Sequence, residues 1–249
     1  MAYYDFLNII FSPLLKLPIL WAVILMSFTI SLIIIIITKY TTDQALMKKL
    51  KEDLKDHQKQ IKELRGNPAQ AMQVQKKAME LNMKYMSHSL KPTLITFIPI
   101  ILIFGWMSAT FAYESIKPLQ EFSITVNFEK NTNGKVDLIV PEAITVIGDK
   151  IKNIENNKAT WNLKGIEGEY LLEVDFNGQK HQKSVLVTNS DKYIEPIKKI
   201  KDSQVKSIQI NYRPRKILNL FGWKLGWLGT YIIFSIIFTM SLRKLLNVY

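Results

Sequence analysis

The sequence predicts an α-helical integral membrane protein carrying an inserted all-β domain, and three observations lead to that class. Among its 249 residues, the blocks 17–38, 92–113 and 225–242 hold no charged residue. Residues 39–91 are densely charged, with apolar residues at helical spacing. Residues 114–212 alternate apolar and polar residues with a period of two. The net charge of +12 and the 48% hydrophobic content are therefore segregated along the chain, which a single soluble core would not require.

Residues 1–16 come first. Tyr3, Phe6, Leu7, Ile10, Phe11 and Leu14 recur at helical spacing with Asp5, Asn8 and Ser12 between them. This pattern predicts an amphipathic helix lying in the membrane interface before Pro13 and Pro18 turn the chain inward. The alternative is a frayed apolar terminus. The three uncharged blocks each run about 18–22 residues, enough at about 1.5 Å per residue to cross roughly 30 Å of hydrocarbon. A soluble helix of that length would show charge on its outer face. Block 17–38 has only Lys16 before it and no small-residue cleavage site after it, so it reads as a retained span and not as a signal peptide. Block 225–242 is the shortest. Trp223, Trp227 and Tyr231 at one end and Arg243 and Lys244 at the other provide interfacial anchors.

Residues 39–91 contain 12 Lys and Arg against 6 Asp and Glu, and the tail 243–249 adds Arg243 and Lys244. Both segments fall on one side, which the positive-inside rule makes cytoplasmic, with the N-terminus and the β domain outside. Arg213, Arg215, Lys216 and Lys224, in the interfacial segment 213–224, argue the other way. The expected location is the plasma membrane, crossed three times.

Within 39–91, Leu46, Leu50, Leu54, Ile61 and Leu64 give a first helix its apolar stripe. Arg65-Gly66-Asn67-Pro68 then combines a glycine stop, an Asn N-cap and a proline in the first helical turn. The second helix carries Met72, Met79, Met83 and Met86, with Val74, Leu81 and Tyr85. The expectation is an antiparallel coiled-coil hairpin in the cytosol. Its methionines either fill the seam or present an adaptable surface for hydrophobic segments. The alternation of Lys48, Lys49, Lys51, Lys55, Lys59 and Lys62 with Glu52, Asp53, Asp56 and Glu63 marks a solvated face.

In 114–212, strands are expected at Glu121–Glu129, Lys135–Val140, Ala159–Leu163, Tyr170–Phe176, Lys183–Thr188 and Val205–Tyr212, with hairpin turns at Asn133-Gly134 and Asn177-Gly178. Six or seven strands suggest a small antiparallel sandwich of immunoglobulin-like type, with Trp161 in its core.

Catalytic chemistry has no visible seat. His57, His88 and His181 lack metal-ligand spacing, cysteine is absent, and no Walker, GxSxG or HExxH motif occurs. No cofactor, metal or enzymatic activity is expected. The spans contain hydroxyl residues instead: Ser27, Thr29 and Ser31; Thr93, Thr96, Ser108 and Thr110; Thr230, Ser235, Thr239 and Ser241. They serve helix packing, or they line a mildly polar groove. Pro99 interrupts one backbone hydrogen bond of the second span.

The order of parts, with Tyr40-Thr41-Thr42-Asp43-Gln44, Leu90-Lys91-Pro92, Thr96-Phe97-Ile98-Pro99, Phe104-Gly105-Trp106-Met107, Leu225-Gly226-Trp227-Leu228-Gly229-Thr230-Tyr231 and Leu242-Arg243-Lys244-Leu245-Leu246, resembles the archaeal branch of the YidC/Oxa insertase superfamily. Relatives there include the third subunit of the endoplasmic-reticulum membrane protein complex. The resemblance covers residues 1–113 and 217–249. It implies an Oxa-type three-helix core that inserts membrane proteins without ATP. Met72, Met79, Met83 and Met86 would bind substrate on the hairpin. Ser27, Ser31, Thr96, Ser108, Ser235, Thr239 and Arg243 would line the groove. Bacterial members place an arginine within the groove; no span here contains one, and that work would fall to the hydroxyls and Arg243. The β domain is larger than the short connection expected of that branch. Implied partners are lipid, nascent or newly made hydrophobic proteins, and a ribosome or Sec channel, with the partner of the β domain unknown. The competing reading is a membrane scaffold or receptor whose β domain binds an external partner.

Overall fold

A computed structural model describes residues 2–248. Met1 and Tyr249, the outer ends of the expected interfacial helix and tail, lie outside the described residues, as do the side chains of Tyr3, Asp5 and Arg65. The chain divides into a helical unit, residues 2–106 with 217–248, and a β unit, residues 107–216.

The helical unit opens with α1 (Ala2–Phe11), followed by a 3-10 turn (Ser12–Lys16) that contains Pro13. Leu7 is buried, while Phe6, Ile9 and Ile10 are exposed. Next comes α2 (Ile19–Thr41), which buries Ala22, Val23, Met26, Ser27, Ile30, Ser31, Ile35 and Thr38 on one face. That face packs on α5 (Trp227–Leu246), where Phe28 meets the Phe238 ring edge-on at 5.3 Å. Small residues in the stripe let two backbones approach closely, the usual device where apolar burial cannot drive association. Helix α2 runs on to Thr41, three residues past the end of the uncharged block at 38. Helix α5 begins at Trp227 because Leu225 belongs to a strand.

Helix α3 (Gln44–Glu63) is capped by Asp43, whose carboxylate accepts the Leu46 amide at 3.0 Å. It passes through a 3-10 turn (Leu64–Gly66) into α4 (Pro68–Phe111), capped by Asn67 accepting from the Gln70 amide. Hairpin arm and second span are therefore one helix of 44 residues, with Pro92 and Pro99 inside it. α2, α4 and α5 are each long and apolar enough to cross a membrane. The segment before α5 is a two-stranded ribbon, β10 (Leu218–Leu220) with β11 (Trp223–Leu225).

The β unit holds β1 (Phe122–Phe128), β2 (Lys135–Ile139), β3 (Ile144–Ile147), β4 (Ile151–Asn153), β5 (Lys158–Gly165), β6 (Gly168–Phe176), β7 (Gln179–Val187), β8 (Ile197–Lys199) and β9 (Val205–Ile210). All ladders are antiparallel, in a five-stranded sheet ordered β3-β5-β1-β9-β8 and a four-stranded sheet ordered β4-β2-β6-β7. Both contribute alternate residues to one apolar core around Trp161, whose Nε1 donates to the Lys150 carbonyl at 2.8 Å. Asn177-Gly178, at φ 53° and 78°, forms the expected turn between β6 and β7. The turn expected at Asn133-Gly134 is not a hairpin. The strands it joins, β1 and β2, lie in different sheets, and Asn131, not Asn133, takes the left-handed conformation.

Where the chain enters and leaves the β unit, Glu114 N donates to Arg213 O and Arg215 N to Ala112 O, both at 2.9 Å. Tyr193 closes this neck: its hydroxyl donates to the Ser108 carbonyl and accepts the Ala112 amide. Burial pushes the Tyr193 and Tyr212 phenols up to about 12. Arg215 is buried, its guanidinium 3.1 Å from Asp191.

Candidate functional site

Two features of the helical unit concentrate what a passing polypeptide could use. The first is the surface of α4. Met72, Met79, Met83 and Met86 are all more than half exposed. The positions covered instead are Ala71, Val74, Ala78, Leu81 and Tyr85, half-buried at steps of three and four residues. On α3 the covered positions include Met47, Leu50, Leu54, His57 and Ile61, with Leu64 just beyond, at the same steps, besides Gln44, Leu46 and Asp53. The methionines therefore lie on the open face of α4, away from its covered positions. Their stripe continues through exposed Leu90, Leu94, Phe97 and Ile101. At roughly 100° per residue, these eight side chains fall within an arc of about 80°, interrupted only by the charge of Lys76. One helix face thus runs apolar and open from the tip region of the hairpin into the span.

The second feature is a cavity of about 130 Å³ lined by Ile34, Thr38, Thr42, Met47, Tyr85, Ser89, Pro92, Thr93, Thr96 and Arg243. The sequence builds it at the corner Thr38–Gln44. The Thr38 carbonyl accepts the Thr42 amide at 3.1 Å, the Thr42 hydroxyl at 2.6 Å and Gln44 Nε2 at 3.2 Å. That triple bond pattern stops α2, and Asp43 starts α3 immediately afterwards. On the α4 wall, Ser89 donates to Tyr85 O, Thr93 to Ser89 O, and Thr96 to Pro92 O, all within 3.0 Å. Pro92 has no N–H, so the His88 carbonyl lacks its helical donor. The hydroxyl protons are engaged within their own helices, while the oxygens retain lone pairs for a guest. Arg243 provides the cationic donors, and among the described residues it has no ion-pair partner. Such a wall can solvate a polar backbone; it contains no acid–base pair.

Of the groove residues expected from sequence, only Thr96 and Arg243 meet at this cavity. Ser27 is buried and donates to Val23 O, while Ser31, Ser235 and Thr239 form polar contacts of 3.4–3.5 Å between α2 and α5. Ser108 belongs to the β unit, its carbonyl engaged by Tyr193. Sequence reasoning misses Thr38, Thr42, Tyr85 and Ser89, because they lie at or beyond the ends of the uncharged blocks. Their signal is the hydroxyl run Thr38, Thr41, Thr42 beside Ser87, Ser89 and Thr93. The histidines are dispersed: His57 bonds Asp53 O, His88 is exposed, and His181 bonds Ser203. Among the described residues no cluster is suited to a metal.

The aromatic motifs are packing devices. Trp106, buried, donates from Nε1 to Asn8 Oδ1 at 2.7 Å and lies against Phe11, which ties α1 to α4. Phe104 meets Trp227 and Tyr231 edge-on at 5.9 and 4.8 Å, which joins α4 to α5.

No curated protein and no solved structure matches the chain. A family model described as "Integral membrane protein EMC3/TMCO1-like" matches residues 8–147, more than half of the sequence. That family lies within the YidC/Oxa1/Alb3 insertase superfamily. The Thr-Thr-Asp corner, the long α4 and the three apolar helices accordingly belong to a multi-pass membrane protein, and the chain is a member of the EMC3/TMCO1-like family.

Proposed function

We propose that this protein is a membrane-protein insertase that captures hydrophobic segments on its hairpin and guides them into the bilayer without ATP. The observation that carries the reading is the exposed apolar stripe of α4, from Met72 to Ile101, interrupted only at Lys76. A hydrophobic segment moving along it stays covered on one side throughout, and methionine side chains adapt to clients of different shape. The polar flank that follows is the costly part, since each unsatisfied backbone group costs several kcal/mol in hydrocarbon. The hydroxyl-lined cavity and Arg243 offer that flank acceptors, a cation and water at the membrane boundary. No covalent step is needed, and the protein acts as a chaperone of insertion, not as an enzyme.

In this reading α3 and α4 form a coiled-coil hairpin in the cytoplasm, within reach of a ribosome or a Sec channel, and the carboxyl tail lies on the same side. The β unit, an immunoglobulin-like sandwich, faces outward from the plasma membrane. The pairing of buried Arg215 with exposed Asp191 supports this orientation, because it accounts structurally for one of the positive charges that argued against it.

The test is site-specific photo-crosslinking in inverted vesicles with stalled ribosomes that carry a hydrophobic nascent segment. Probes at Met83 and Phe97 should crosslink in that order as the chain lengthens, while a probe at half-buried Ala78, on the covered face of α4, stays silent. Crosslinking at neither stripe position, with the protein shown to be folded, would overturn the reading and leave a scaffold role.

A further inference from the structure

We infer that the β10–β11 ribbon is an amphipathic finger that seats in the polar–apolar boundary of the lipid bilayer beside the N-terminal end of α5, with Phe221 as its inserted tip. This is independent of the insertase reading.

Position comes first. Leu225 ends the ribbon and Trp227 begins α5, and Ile217 N donates to Leu225 O at 2.8 Å, which closes the base of the ribbon against the start of a spanning helix. Only Gly226 separates the finger from the span, so the finger has no linker with which to leave the membrane surface.

The pairing then makes the ribbon two-faced. Leu218 lies opposite Leu225 and Leu220 opposite Trp223, so these four share one face; Asn219 opposite Lys224 forms the other. A ribbon of two three-residue strands is marginal in water unless a surface covers its apolar side. Here Trp223 is 77% exposed and Leu218, Leu220 and Leu225 are only half-buried. A bilayer boundary provides hydrocarbon to one face and headgroups to Lys224 on the other.

The turn supplies the strongest argument, because the chain contains the same turn twice. At the β6–β7 tip, Asn177-Gly178 adopts φ 53° and 78° with residues suited to that geometry. At the β10–β11 tip, Phe221-Gly222 adopts φ 49° and 93°, and the Gly222 amide is held by Asn219 Oδ1 at 3.1 Å. A bulky residue in the left-handed region is strained, and the Phe221 ring is fully exposed. Strain and apolar exposure at one rigid turn are both offset if the ring enters an apolar medium. Lipid fits better than a protein pocket here, since the ribbon continues directly into a helix that is itself seated in lipid.

The chain has no cysteine, so single substitutions give unique spin-label sites. Leu220→Cys, Phe221→Cys and Lys224→Cys would be labelled with a nitroxide in the full chain, in vesicles of phosphatidylcholine and phosphatidylglycerol, with Lys130→Cys of the β unit as an aqueous reference. Collision with oxygen, which enriches in hydrocarbon, is compared with collision with a water-soluble nickel chelate. The expected result is a shift toward oxygen at 220 and 221, with 224 matching 130. Nickel accessibility at 220 and 221 equal to that at 130 would overturn the proposal. Shielding from both reagents would also overturn it, in favour of a protein contact. If Phe221→Cys disturbs the turn, the contrast between 220 and 224 in protein that keeps Phe221 decides the same question. In the label-220 protein, Phe221→Asn, which suits the turn, should shift that label back toward nickel.

Discussion

In the β unit, apolar residues from two sheets meet in a single core; in the helical unit most of them remain on the outside. Only 11% of the apolar window of α5 is buried within the protein, and 22% of that of α4. In the β unit Ile124, Val126, Leu138, Trp161, Leu163 and Val174 have no exposure at all. The difference follows from the solvent each unit meets. Water forces the β unit to hide apolar surface, whereas lipid does not, so helices there are held by small residues, aromatic edges and a few polar contacts. Each unit should therefore fail in its own way. The largest expected effect lies in the β core. Trp161→Ala removes its largest fully buried ring and a hydrogen bond, and should cost about 3–5 kcal/mol. Hydrogen exchange on the full chain in detergent should show lost protection in β1, β5 and β9 with α2 and α5 unchanged. Lost protection in α2 as well would break the comparison.

Alkaline pH should separate the units next. Tyr212 is buried and held near 12 from an ordinary value of 10, so between those limits the unfolded chain releases a proton that the folded one keeps. The β unit's stability is full below pH 10 and falls as pH rises toward 12, by about 2–3 kcal/mol for a shift of this size. Near-ultraviolet circular dichroism across pH 9–12 reads it. Tyr212→Phe should flatten the profile, and Tyr193, which rises for the same reason, accounts for what remains.

The two units also differ in how far the sequence can be read. The spans are legible because an uncharged run of that length is hard to reconcile with a helix that meets water. Six strands are legible by alternation, but β3, β4 and β8, at three or four residues, are too short to show a period. The covered face of α4 is less legible. Methionine is the more apolar choice, yet the half-buried positions are Ala71, Val74, Ala78, Leu81 and Tyr85, whose spacing is visible in the sequence. The cavity is nearly illegible. It gathers the end of α2, the start of α3, the middle of α4 and the end of α5, and no local pattern announces that Thr38 and Arg243 share a space.

A smaller effect tests whether polar contacts hold the helical unit. Asn8→Ala leaves buried Trp106 Nε1 without its acceptor, at a cost of about 1–3 kcal/mol. Amide exchange in α1 should accelerate while the β unit stays protected. Unchanged exchange in α1 would mean that Phe11 and Leu7 suffice, and that packing rather than hydrogen bonding fixes α1.

The smallest effect concerns the corner where the hairpin leaves the span. Asp43→Ala removes the cap on the Leu46 amide and should cost about 1 kcal/mol, read as faster exchange confined to the first turn of α3. The ion pair of Lys59 with Asp56, at 4.0 Å and largely exposed, gives the contrast: Lys59→Ala should change exchange by less than about 0.5 kcal/mol. The cap matters more because Thr42 and Gln44 already tie the preceding residues to the Thr38 carbonyl, so the first turn of α3 starts from a fixed point. If Asp43→Ala instead loosens α3 as a whole, the hairpin depends on its root more than on its seam, and the stripe on α4 would swing with it.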